Sequence, residues 1–184
     1  MNNSPLKLCG PDITLRPVMI EDSVAIQRYR QLEQVARYQS WTTFDTAAAE
    51  RLVSAQQGLE VDTPDSWYQL VIVDNNSGEL AGDLVMHFLA DDPRQAEVGF
   101  NLSPEYQDRG YATQALGCVL DYLFRELAKH RVTALTDADN LAAARLLERS
   151  GFRREGHFIE NIWFKGRYGS EYLYAILARE WLAD

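Results

Sequence analysis

Across residues 95–124, QAEVGFNLSPEYQDRGYATQALGCVLDYLF, the apolar spacing changes from every second residue to every third or fourth. QAEVGFNL reads as a strand, SPEYQDRG as its connection, and the residues from Ala112 as a helix. In that helix Ala115, Leu116, Val119, Leu120, Leu123 and Leu127 form a single apolar stripe, which has to lie against a sheet. The turn at Gly110 opens straight into the helix. It has neither the lysine of a nucleotide-binding loop nor the further glycines of a dinucleotide fingerprint.

The flanking sequence supplies the rest of the sheet. ITLRPV (13–18) and WYQLVIVD (67–74) alternate, and NNSG joins the latter to ELAGDLVMHFL (79–89) as a hairpin. SVAIQRYRQLEQVARY (23–38) has helical spacing, and TAAAERLVSAQQ follows a cap at Asp45 or Thr46, with Gly58 as its stop. VTALT (132–136) is a short strand. NLAAARLLERSGF is a helix closed at Gly151, and HFIENIWF and SEYLYAILA are two antiparallel strands. The order is strand, two helices, three strands, helix, strand, helix, two strands. It predicts an α+β fold in which helices cover both faces of one mixed, mostly antiparallel sheet of about seven strands. Residues 1–12 read as an N-terminal extension and 13–182 as a single domain.

Composition narrows the function classes. The 184 residues suit one domain with its own core. No apolar run approaches the roughly 20 residues of a membrane-spanning helix, and the start MNNSPLKLCGPD lacks a secretory pattern. A cytoplasmic location without membrane contact is the expectation. Cys9, Cys118 and three histidines share no metal-ligand spacing, so no metal is expected, and Cys118 reads as an apolar filler. The net charge of −9 argues against a nucleic-acid partner. It is unevenly spread: residues 1–93 carry 14 acidic and 6 basic side chains, residues 94–184 carry 13 and 12. A solubilising surface explains this, as does a cation-attracting half beside a phosphate-tolerant one.

A turn that feeds a helix exposes N–H groups with no intrahelical partner, and phosphate suits them. In QDRGYA, Gly110 permits close backbone approach, Ala112 adds little bulk and Arg109 offers a charge. The same residues also describe an ordinary loop. Their surroundings are more specific. AEVGFNLSPEYQDRGYATQAL followed by DNLAAARLLERSGFRREG resembles the GNAT superfamily of N-acetyltransferases, in particular the branch of ribosomal-protein N-terminal acetyltransferases. Gln107, Gly110 and Ala112 match the pattern Q/R-x-x-G-x-G/A; Asn140, Ala143, Glu148, Gly151 and Phe152 match the second motif. The likeness runs from about Ile13 to Trp181.

The resemblance implies a strongly twisted sheet with a splayed cleft for acetyl-CoA. The pantetheine would pair with the edge at Phe100, Asn101 and Leu102. The pyrophosphate would sit on the N–H groups of Gln107, Asp108, Arg109, Gly110, Tyr111, Ala112 and Thr113. Asn140 matches a cofactor-binding position, with helix capping as its other reading. The implied reaction is attack of an uncharged amine on the thioester, with Glu97 as candidate base, unless Glu97 is only a solvated or salt-bridged strand residue, paired with Arg94 or Arg109. The N–H of Leu102 or Asn101 would polarise the carbonyl. Relatives carry a tyrosine acid where this chain has Leu147, and some carry a serine where it has Ala143, so Tyr106 and Tyr111 are the remaining guesses for an acid. Trp41, Phe44, Trp67, Tyr68, Trp163 and Tyr168 read as core or as acceptor wall. The acceptor would be a protein N-terminus or lysine, or a small cationic amine, and the protein a monomer or homodimer. A CoA-binding sensor or an inactive interaction module, without turnover, is the alternative.

Overall fold

The computed structural model describes residues 5–183. Eight strands form one sheet: β1 (Leu8–Cys9), β2 (Ile13–Pro17), β3 (Ser66–Asp74), β4 (Leu80–Phe88), β5 (Gln95–Leu102), β6 (Arg131–Asp137), β7 (Arg153–Phe164) and β8 (Arg167–Leu177). Their spatial order is β1-β2-β3-β4-β5-β6-β8-β7. Every neighbouring pair is antiparallel except β5 and β6. The count exceeds the expected seven by β1, which pairs Leu8 with Leu15 and Cys9 with Thr14. Two hydrogen bonds between Asp12 and Gln114, of 3.0 and 2.8 Å, tie the same segment to the helix after Gly110.

The helices are α1 (Ser23–Arg30), α2 (Glu33–Ala36), α3 (Thr46–Ala55), α4 (Tyr111–Asp121), α5 (Leu141–Arg149) and α6 (Ala178–Trp181). Asp45 caps α3 by accepting the Ala48 N–H at 2.8 Å, and α5 is followed by Gly151 in the left-handed conformation (φ 86°). α4 runs on into a π turn, Tyr122–Glu126, where the Leu127 N–H reaches the Tyr122 carbonyl at 3.1 Å. The single helix expected over 23–38 is two. Leu32 is extended (ψ 133°), and the break lets buried Arg30 end α1 while α2 starts in a new direction.

Alternation along the strands divides the core between the two faces. On one face Leu70, Ile72, Leu84, Met86 and Val98 pack with Leu116, Val119 and Leu120 of α4 and with Leu146 and Leu147 of α5. On the other, Val71 packs with Ile26, Tyr29, Phe44 and Val53 from α1, α3 and the loop between them. Leu116, Leu120 and Leu123 are wholly buried; each such side chain contributes ~1.5–3 kcal/mol. The α4 stripe is thus what clamps the Gly110 turn to the sheet. Among the described residues no helix is long and apolar enough to cross a membrane.

Candidate active site

β5 and β6 run together only briefly. They pair at Gln95–Arg131, Ala96–Val132 and Glu97–Thr133, after which β5 stays with β4 as far as Leu102 while β6 follows β8 to the Asp137–Glu171 pair. From Val98 onward the edge of β5 facing β6 is therefore free, and a cleft opens in the sheet. Gly82 lets β4 hold β5 closely at the far end, because a methyl there would meet the Asn101 carbonyl oxygen at 2.1 Å.

A hollow of about 400 Å³ lies along this free edge. It gathers Phe100, Asn101, Leu102, Gln107, Asp108, Gly110, Tyr111, Ala112, Thr113 and Asn140, ten of the eleven residues expected at the cofactor. Gly110 is the N-cap of α4 in the left-handed region (φ 78°), and no side chain caps the helix, so its first N–H groups stay available for an anion. Arg109 is the exception. Its guanidinium lies over the Tyr106 ring, 5.2 Å from the centroid, away from the hollow. The cations that line the hollow are instead Arg145 and Arg149, one turn apart on α5. Their i, i+4 spacing places them on one helical face, but nothing local in the sequence says which way that face looks.

Two side chains in this group are already engaged. The Asn101 amide donates to Asp83 at 3.0 Å, and its carbonyl oxygen faces β4. Asn140 accepts the Ala143 N–H at 3.2 Å, so the capping role is realised beside whatever the residue does for a ligand.

A second hollow, about 270 Å³, adjoins the first where β5 and β6 part. Glu97 lines it together with Asp137 and Glu171, across from Ile162, Phe164 and Leu147. No lysine, arginine or histidine lines it among the described residues. Glu97 forms neither expected ion pair, since Arg94 binds Asp92 at 3.0 Å and Arg109 lies over Tyr106. Burial pushes the Glu97 carboxyl above its usual range; His87 partly offsets this and Glu171 adds to it. His87 is the cross-strand partner of Glu97 on β4. It stacks on Trp67 at 4.0 Å, with Nε2 3.9 Å from Asp65 and a buried, unpartnered Nδ1. Asn161 donates to Glu171 at 2.5 Å and so orients it toward the hollow.

Other expectations change with the tertiary structure. Tyr106 donates to Glu79 at 3.0 Å and Tyr111 to Asp74 at 3.2 Å, so neither hydroxyl points at the Glu97 hollow. Phe44 and Tyr68 are core, while the Trp41 ring packs tilted against Phe44 and its indole N–H donates to the Arg30 carbonyl at 3.1 Å. Trp163 and Tyr168 pair edge to face on the exposed side of the β7–β8 hairpin. The apolar wall comes from Ile162 and Phe164 of β7 and from Tyr38 in the turn after α2. The half-buried Cys118 thiol is pushed up by burial, in keeping with a packing role.

The arrangement has counterparts among known proteins. Residues 12–153 match the acetyltransferase (GNAT) domain family. The chain is 28% identical over 169 residues to the uncharacterized N-acetyltransferase YnaD of Bacillus subtilis, covering 92% of this chain and 95% of that one. It is 31% identical over 104 residues, 56% of this chain and 57% of the other, to the putative ribosomal N-acetyltransferase YdaF of the same organism. The spermidine N-acetyltransferase from Vibrio cholerae, solved in complex with CoA and spermine, superposes with a TM-score of 0.81 at 25% identity, over 94% of this chain and 99% of that one. With the splayed sheet, the left-handed turn into α4 and a family match over most of its length, this chain belongs to the GNAT acetyltransferases and is an N-acetyltransferase.

Proposed function

We propose that the protein transfers the acetyl group of acetyl-CoA to a primary amine that carries a further positive charge. One observation carries this reading: two hollows of opposite character meet at the fork of β5 and β6. Arg145, Arg149 and the uncapped start of α4 line one, and three carboxylates line the other. In the first, the pantetheine amides add to the free edge at Phe100–Leu102 and the pyrophosphate lies on the N–H groups of residues 107–113. In the second, Glu97 takes the amine proton while Asp137 and Glu171 attract the cation. The N–H of Asn101 or Leu102 polarises the acetyl carbonyl. The V. cholerae relative, named for spermidine and bound to CoA and spermine, supports the donor and an amine acceptor.

A protein N-terminus is the second reading, favoured by the likeness to a putative ribosomal acetyltransferase. A sensor without turnover is disfavoured by Glu97 facing the hollow beside the cleft. A screen of di- and polyamines against N-terminal peptides, following CoA release, tests the proposal. Turnover is expected with multiply charged amines and to weaken as salt rises. Turnover confined to neutral or acidic peptides would overturn the acceptor reading, and acetyl-CoA binding without CoA release would favour the sensor.

A further inference from the structure

Five residues line both hollows: Tyr38, Gln39, Phe100, Asn140 and Ala143. A thioester with its CoA arm in the first hollow and its acetyl carbon facing an amine in the second must place its sulfur at this seam. The sulfur leaves as a thiolate, so a proton donor there lowers the barrier. Of the five side chains only the Tyr38 phenol carries an ionisable proton. We infer that Tyr38 is the catalytic acid that protonates the departing CoA sulfur, an assignment that rests on the acetyl-CoA reading above.

The local structure suits this role. Tyr38 is half-buried in the turn after α2, where the Gln39 N–H donates to the Ala36 carbonyl at 2.9 Å. From the tip of the β7–β8 hairpin the Lys165 ammonium donates to the same Ala36 carbonyl and, at 3.5 Å, to that of Arg37, which fixes the turn against the opposite wall. The hydroxyls of Tyr106 and Tyr111 are committed to Glu79 and Asp74, and Leu147, also on the second hollow, has no proton to give. The Arg37 guanidinium lies over the Tyr38 ring, 5.3 Å from its centroid.

The step balances. The amine nitrogen bonds to the acetyl carbon and the carbon–sulfur bond breaks. Glu97 receives the nitrogen's proton and the sulfur receives that of Tyr38. Water then takes the proton from Glu97 and returns one to the phenolate beside Arg37, leaving amide and CoA thiol.

The test compares full-length wild type, Tyr38→Phe and a protein with 2,3-difluorotyrosine at position 38. Tyr38→Phe should lower kcat about 10²-fold with KM for acetyl-CoA changed less than about twofold. The fluorinated residue keeps the shape but has a more acidic phenol, so the basic limb of the kcat profile should move to lower pH while the acidic limb stays. Undiminished kcat in Tyr38→Phe, or an unmoved basic limb, overturns the assignment and leaves the acetyl-CoA reading intact. A wild type that binds acetyl-CoA yet acetylates no amine overturns both.

Discussion

Arg30 grips Asp83 in a bidentate ion pair, Nε to Oδ2 at 2.9 Å and Nη2 to Oδ1 at 2.7 Å, with both side chains almost wholly buried. Burial alone would lower the Arg30 pKa, and the Asp83 charge more than offsets it, so the net direction is upward. Asp83 also accepts from Tyr29, from Gln69 at 2.9 Å and from Asn101 at 3.0 Å. One carboxylate thereby joins α1, β3, β4 and β5 directly beneath the free edge of the cleft. Asp83→Ala strands a buried cation and should cost about 3–5 kcal/mol in urea unfolding. Replacing both partners by apolar residues should recover part of that loss, and a double variant no better than the single one would contradict this.

Glu97 links pH to both activity and stability. A base works only when ionised, and burial raises the carboxyl, so the acidic limb of kcat should lie above the ordinary glutamate range of about 4.3. Removing the opposing influence with His87→Gln should move that limb further up, and Glu171→Gln should move it down. For stability, the folded carboxyl holds its proton more tightly than the unfolded one. Stability therefore falls as pH rises from the unfolded pKa through the folded pKa, and the cost is complete above the latter. Glu97→Gln should raise Tm near neutral pH but not at strongly acidic pH, while lowering kcat about 10²–10⁴-fold. Full activity in this variant would remove Glu97 as the base.

Gly82 and Gly110 should fail in different ways. At Gly82 an added methyl collides with the β5 backbone, so Gly82→Ala should cost about 1–3 kcal/mol and weaken acetyl-CoA binding by shifting Asn101. At Gly110 nothing lies within 4 Å of a new Cβ, and only the positive φ of 78° resists substitution. Gly110→Ala should therefore cost about 1 kcal/mol of stability, and a β-branched residue more. Denaturation and calorimetry on the same samples separate the two effects.

Arg145 and Arg149 line the hollow and Arg109 does not. Arg145→Glu and Arg149→Glu should each weaken acetyl-CoA binding by about 1–2 kcal/mol at low salt, a difference that narrows as salt rises. Arg109→Gln should have a smaller effect. Equal losses for all three would show that the α5 pair has no special place at the cofactor.

Much of this architecture is written in local spacing. The period-two runs mark β2 through β8 to within a few residues, the stripe from Ala115 to Leu123 marks α4, and Gly110 marks a turn that needs positive φ. Each of these depends on interactions between residues at most a few positions apart, which the chain order itself specifies. The two motifs around Gly110 and Asn140 likewise sit on segments whose conformation is set nearby.

What only the tertiary structure decided is where side chains from distant segments meet. Arg109 turns to Tyr106, 5.2 Å away, while Arg145 and Arg149 take the position by the cleft. The expected first helix breaks at Leu32, and the chain beyond it brings Tyr38 to the seam of the two hollows. Glu97, Asp137 and Glu171 come together through the β5–β6 fork and the β6–β8 register, across more than seventy residues of chain. A residue's local period says which face of its own element it occupies. The charges and walls it meets there depend on the packing of the whole sheet.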